Sequence, residues 1–161
     1  MITRLMKESD LDRVMAIDEA SFAVPWSRKS LEDDLRGNPA ARYLVIEEDG
    51  KVIGFGGMWF VLDECQVTNV AVDPACRGRG VGTALMDAMV QLAADSGMSS
   101  MTLEVRRSNE PAIRLYAAHN FRKVGCRKGY YEDNHEDAVI MTAIDLPEGH
   151  PENDPFLVIE E

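Results

Sequence analysis

The spacing of hydrophobic and polar positions changes period several times along this chain, and each change marks an element. Val81, Ala84, Leu85, Ala88, Met89, Leu92 and Ala93 recur at intervals of three and four, which places them on one face of a helix over Gly80 to Ser96. Just before it, Thr68-Asn69-Val70-Ala71-Val72 reads as a strand. Just after it, Met101 to Val105 alternates, with Leu103 and Val105 on one face and Thr102 and Glu104 on the other. A helical connection lets two strands run parallel, and that brings Glu104 near the turn that opens the helix.

The remaining elements follow from the same patterns. Ile2 to Met6 is a candidate first strand. Leu11, Val14, Met15 and Ile17 give an apolar side to a helix capped at Ser9-Asp10 and running to about Ala20. Pro25 interrupts regular structure, and Ser27 can cap a short helix ending near Gly37. Ala41 to Glu47, Val52 to Leu62 and Cys65 to Val72 read as an antiparallel meander, its first turn signalled by Asp49-Gly50. Asn109-Glu110-Pro111 opens a further helix with Ala112, Leu115 and Tyr116 facing inward. Arg122 to Lys128 and Ala138 to Ile144 form a last strand pair around the loop from Gly129 to Asp137. These readings give a mixed α/β (α+β) fold with a mostly antiparallel sheet, two helices ahead of it and a glycine-rich loop opening the central helix.

That loop, Arg77-Gly78-Arg79-Gly80-Val81-Gly82, carries the first chemical signal. Glycine accepts positive φ and lets backbone approach a ligand closely. Successive amides feeding a helix N-terminus attract an anion, because they lack partners and sit at the positive end of the helix dipole. A nucleoside-triphosphate loop would need Gly-Lys followed by Ser or Thr, whereas Gly82 is followed by Thr83 and Ala84. The dinucleotide fingerprint fits little better, since its third glycine should stand at Thr83. A diphosphate site remains, with a plain glycine-rich turn as the alternative.

Composition narrows the class. The 161 residues are 45% hydrophobic, enough for one globular domain with a core of its own. A net charge of -11 disfavours direct binding to nucleic acid and suits a basic or cationic partner. No run of about 18 apolar residues and no signal-peptide pattern occurs, so a cytoplasmic protein without membrane association is expected. Cys65, Cys76 and Cys126 are widely spaced and form no Cys-x-x-Cys pair, which indicates neither a disulfide framework nor a metal site. From Asp145 onward there are three prolines, six acidic residues and no Lys or Arg, so the domain is expected over 1–144 and an acidic tail over 145–161. Within that tail only Phe156 to Ile159 is apolar enough to dock.

Several segments together resemble the GNAT superfamily of acetyl-CoA-dependent N-acetyltransferases. They are Asn69-Val70-Ala71-Val72-Asp73-Pro74, the glycine loop, Leu103-Glu104-Val105-Arg106, Ser108-Asn109 and Ala112-Ile113-Arg114-Leu115-Tyr116. With Pro25-Trp26-Ser27 and Gly129-Tyr130-Tyr131, the resemblance is strongest to members that acetylate the N-terminal alanine of a small-subunit ribosomal protein. It covers Ile2 to Ile144. Asn120 stands where the family usually has glycine, and Asn tolerates the left-handed conformation such a turn needs.

The resemblance implies a site. Acetyl-CoA would set its pyrophosphate on the amides around Arg77, Gly78, Arg79, Gly80, Val81, Gly82 and Thr83. Its pantetheine would pair with the backbone of Val70, Ala71 and Val72, and Asn109 would support its arm. Glu104 is implied as the base that deprotonates an amine, and Tyr116 as the acid that protonates the departing thiolate. From the residues alone, Glu104 is equally a strand-face carboxylate paired with Arg106, and Tyr116 a core aromatic. His119 and His135 are rival bases, and Cys76 reads as a passive thiol. Trp26, Tyr130 and Tyr131 are implied as walls of a peptide groove, while Asp133, Glu136 and Asp137 would attract a basic peptide or lie solvated. An acetyltransferase for a small cationic amine and a non-catalytic acyl-CoA sensor stay open as alternatives.

Overall fold

In a computed structural model, residues 1–156 are described, and Leu157 to Ile159 lie outside that range. A seven-stranded sheet forms the middle layer. Its strands are β1 (Ile2–Leu5), β2 (Ala41–Glu48), β3 (Lys51–Val61), β4 (Glu64–Val72), β5 (Ser100–Arg106), β6 (Arg122–Arg127) and β7 (Ala138–Ala143), in the order β1-β2-β3-β4-β5-β7-β6. Only β4 and β5 are parallel; every other neighbouring pair is antiparallel. Helices α1 (Leu11–Ser21) and α2 (Arg28–Gly37) cover one face, and α3 (Val81–Asp95) and α4 (Glu110–Ala118) the other.

Alternation along the strands decides which side chain enters which layer. Tyr43 and Val45 of β2 pack with Leu11, Val14, Ile17 and Leu31, whereas Leu44 and Ile46 pack with Leu85, Met86 and Met89. Gly56 lets α3 come close, because a Cβ there would collide with the Met89 sulfur. Truncating a fully buried residue such as Leu85 to Ala would cost about 2–5 kcal/mol, the usual penalty for lost burial plus a cavity.

Ser27 caps α2 as expected, its hydroxyl accepting from the Ser30 amide at 3.1 Å. The expected cap at Ser9-Asp10 is different. The Asp10 carboxylate accepts from Arg4 at 2.8 and 2.9 Å and from the Lys7 amide at 2.8 Å, so it closes a short 3-10 turn ahead of α1 and leaves the α1 amides alone. Asn120 takes φ of 67° and ends the α4 region in the left-handed conformation. Beyond β7 the chain returns across α3: His150 donates its amide to Asp95 at 2.8 Å, Gln91 donates to the Glu148 carbonyl at 3.1 Å, and the Arg42 guanidinium lies 3.9 Å from the Phe156 ring centre. Among the described residues no helix is long and apolar enough to cross a membrane.

Candidate active site

The sheet opens in its middle. β4 and β5 pair only from Glu64 to Gln66 against Ser100 to Thr102, and beyond those residues they diverge. The cause lies on the other side of β4. Gly57 faces Asn69 and Met58 faces Val67, so Thr68 is an extra residue, a bulge that bends β4 away from β5. From Val67 to Val72 the edge of β4 toward β5 is therefore left without a strand partner among the described residues.

Two adjoining clefts fill the opening. The first, of about 500 Å³, is lined by Val70, Ala71, Val72, Cys76, Arg77, Gly78 and Gly80 to Thr83, with Asn109, Ala112, Leu115 and Tyr116 opposite. Gly78 and Gly80 have φ of 78° and 80°, conformations that cost a side-chain-bearing residue energy. Gly80 is the N-cap of α3 and has no side chain to cap it, and among the described residues the amides from Gly78 to Thr83 have no acceptor. An anion would satisfy them. Arg77 is exposed at this rim and makes no ion pair among the described residues. Arg79 points elsewhere: its guanidinium bonds Glu48, and it does not line the cleft.

The second cleft, of about 290 Å³, is lined by Trp26, Thr68, Asn69, Leu103, Glu104, Val105, Arg106 and Tyr131. Ser21, Phe22, Val70, Asn109, Ala112 and Tyr116 border both clefts, so the two meet at Tyr116. Burial pushes the Tyr116 hydroxyl up to about 12, with its charged form further disfavoured by Tyr131, and it stays protonated near neutral pH. Glu104 Oε1 accepts from Arg127 Nε at 2.8 Å, so its partner is Arg127 on β6 and not the neighbouring Arg106.

Arg106 is engaged by the loop between β6 and β7. It meets Asp133 at 2.9 Å and Glu136 at 3.4 Å, and its guanidinium lies 4.0 Å from the Tyr131 ring centre. Asp133 and Glu136 are thus occupied in holding Arg106, and Asp137 accepts from the Gly129 amide at 2.9 Å. Tyr131 enters the cleft wall, while Tyr130 packs edge-on against it and remains half exposed. The nearby Glu104 carboxylate raises the Tyr130 hydroxyl above its usual value. Trp26 packs edge-on to Trp59 with ring centres 6.1 Å apart, and its amide donates to Asp18 at 2.7 Å. His119 is spent on structure, bonding the Leu115 carbonyl and Asp87 at 2.9 and 2.8 Å.

Residues 11–121 match the family described as Acetyltransferase (GNAT) family. The chain belongs to it. GNAT acetyltransferases take their acetyl group from acetyl-CoA, and the first cleft suits that donor: unpaired amides for a pyrophosphate and a free strand edge for the two amides of a pantetheine arm. The chain is 44% identical over 138 residues to a Bacillus subtilis protein named as a candidate ribosomal protein bS18-alanine N-acetyltransferase, covering 86% of this chain and 91% of that one. It is 35% identical over 140 residues to the ribosomal protein bS18-alanine N-acetyltransferase of Escherichia coli K12, covering 84% and 92%. The crystal structure of the E. coli ribosomal-protein-S18-alanine N-acetyltransferase superposes with a TM-score of 0.83 at 31% identity, over 93% of this chain and 97% of that one.

Within this GNAT site, sequence reasoning overlooked Ser21, Phe22, Thr68 and Asn69. For the last two a signal exists: a polar Thr-Asn pair stands between Val67 and Val70, and Asn69 falls on the alternate positions otherwise held by Cys65, Val67 and Ala71, where an unpaired polar group is costly to bury.

Proposed function

We propose that this enzyme transfers acetyl from acetyl-CoA to the N-terminal α-amine of a protein, with the N-terminal alanine of a small-subunit ribosomal protein as substrate. The observation that carries this reading is the meeting of two clefts at Tyr116, one suited to the donor and one walled by Glu104, Trp26 and Tyr131. The names of the relatives in B. subtilis and E. coli supply the substrate.

In this reading Glu104, directly or through a water, takes a proton from the α-ammonium group. The neutral nitrogen then adds to the thioester carbon. A backbone N–H on the unpaired edge of β4 receives the oxyanion. The nitrogen, cationic after addition, releases its second proton to water; collapse breaks the C–S bond, Tyr116 gives its proton to the thiolate, and the products are the N-acetylated terminus and free CoA. Acid and base are separate groups, one buried and protonated, the other held by Arg127. An α-amine deprotonates near pH 8 and a lysine side chain near 10.4, which spares the site roughly 3 kcal/mol at neutral pH. The small-amine alternative has less support, since Asp133 and Glu136, the acids best placed to recruit a polyamine, are paired with Arg106.

The test is steady-state kinetics on paired peptides, with tandem mass spectrometry to locate the acetyl group. Ala-starting peptides with basic residues downstream are expected as substrates, and N-terminally blocked versions with an internal lysine as poor ones. Equal or better turnover of the blocked peptide would overturn the assignment while leaving the acetyltransferase chemistry intact.

A further inference from the structure

Asn69 is an expensive residue in its position. It is 6% exposed in the middle of β4, its Oδ1 accepts from the Thr68 hydroxyl at 2.8 Å, and its Nδ2 has no partner among the described residues. An unmade hydrogen bond on a buried amide is a penalty that a fold rarely retains without use. The surroundings are shaped around it. Gly57, opposite on β3, leaves the space that Asn69 Oδ1, Thr68 Oγ1 and the Tyr43 ring occupy, and a Cβ at that glycine would collide with all three. The bulge at Thr68 sets Asn69 on the wall of the second cleft, beside Glu104 and Tyr131 and outside the first.

Resting on the peptide reading above, we propose that Asn69 Nδ2 donates a hydrogen bond to the carbonyl oxygen of the acceptor's first residue, and so selects a peptide terminus over a simple amine. A lone donor buried in the wall of the acceptor cleft calls for an acceptor atom on a ligand that reaches it. A peptide brings one: its first carbonyl carbon is two bonds from the attacking nitrogen, so an amine placed between Glu104 and Tyr116 carries that oxygen into the same cleft. A polyamine brings only ammonium donors. It leaves Nδ2 unpaired and sets a cation beside it, which is the kind of mismatch from which strong discrimination arises.

The experiment is a cycle in the full chain. An Ala-starting peptide is compared with an analogue whose first amide is replaced by an (E)-alkene, using wild type and Asn69→Ala, with KM for acetyl-CoA measured alongside. Each single change is expected to lower kcat/KM for the acceptor by about tenfold, the magnitude of one lost hydrogen bond, and the two together by little more. KM for acetyl-CoA should stay within about twofold. Asn69→Asp keeps the shape and removes the donor, so it should fail as Asn69→Ala does. Additive losses, or wild-type kcat/KM in Asn69→Asp, overturn the inference while the peptide reading stands. If Asn69→Ala does not fold, wild type alone decides, because equal turnover of the two peptides also overturns it. Turnover of spermidine with no peptide acetylation by wild type would instead remove the peptide reading and this inference with it.

Discussion

The Arg106 guanidinium lies 4.0 Å from the centre of the Tyr131 ring while Asp133 and Glu136 grip it from the same loop. One β5 side chain thereby fixes the Gly129–Asp137 loop against the second cleft and holds Tyr131 in its wall. Desolvated cation–π contacts contribute about 2 kcal/mol, and partly buried ion pairs add to this, so the loop's position depends on Arg106. Arg106→Ala should raise KM for the peptide about tenfold and leave KM for acetyl-CoA near wild type, because the first cleft does not include this loop. Limited proteolysis should show faster cleavage within 129–137.

The acid and base assignments give a second test. Glu104→Gln and Tyr116→Phe should each lower kcat by about 10²-fold or more, with acetyl-CoA affinity nearly unchanged. Tyr116→Phe removes only a hydroxyl, and the ring's contact with Phe121, at 5.9 Å between centres, survives. Thermal melting should therefore remain close to wild type. Wild-type rates in both variants would leave solvent as the source and sink of protons.

Donor binding can be tested at the α3 N-terminus. Gly80→Asp places a carboxylate beside the unpaired amides and a side chain on a residue with φ of 80°, so calorimetry should show acetyl-CoA binding weakened by about tenfold or more. Arg77→Ala should weaken it about threefold and reduce its dependence on salt, since that guanidinium is exposed. Arg79→Ala should do neither, because Glu48 holds its side chain away from the cleft.

Asp18 predicts a pH effect on stability. Burial pushes its carboxyl from 3.8 up to about 6, against the opposing hydrogen bond from the Trp26 amide. Its pKa is higher folded than unfolded, so the folded chain holds the proton more tightly, and the stability this confers is lost as pH rises through about 6. Asp18→Asn retains an oxygen for the Trp26 amide without the buried charge. It should melt above wild type near neutral pH, with the gap closing as pH falls from about 6 to about 4. Calorimetric scans of both proteins across that range check it; a variant less stable near neutrality would contradict the assignment.

Where the signal is local, the elements are legible in the sequence. The repeat from Val81 to Ala93 appears as the buried face of α3, and the alternation from Met101 to Val105 appears as β5, with Leu103 buried in the core cluster shared with α3 and Glu104 part-exposed on the cleft wall. The glycines at 78 and 80 announced positive φ, because few other residues tolerate it. The rest depends on how distant segments pack. The opening between β4 and β5 depends on a bulge at Thr68, which is defined by the register against β3 and has no period of its own. Glu104 has arginines near it in sequence and in space, and it pairs with Arg127, 23 residues away, because β6 arrives there by way of β7 while Arg106 is drawn off by Asp133 and Glu136. Hydrophobic periodicity is a property of neighbouring residues. Which strand edge stays unpaired, and which charge finds which partner, is settled by contacts that exist only once distant segments have packed.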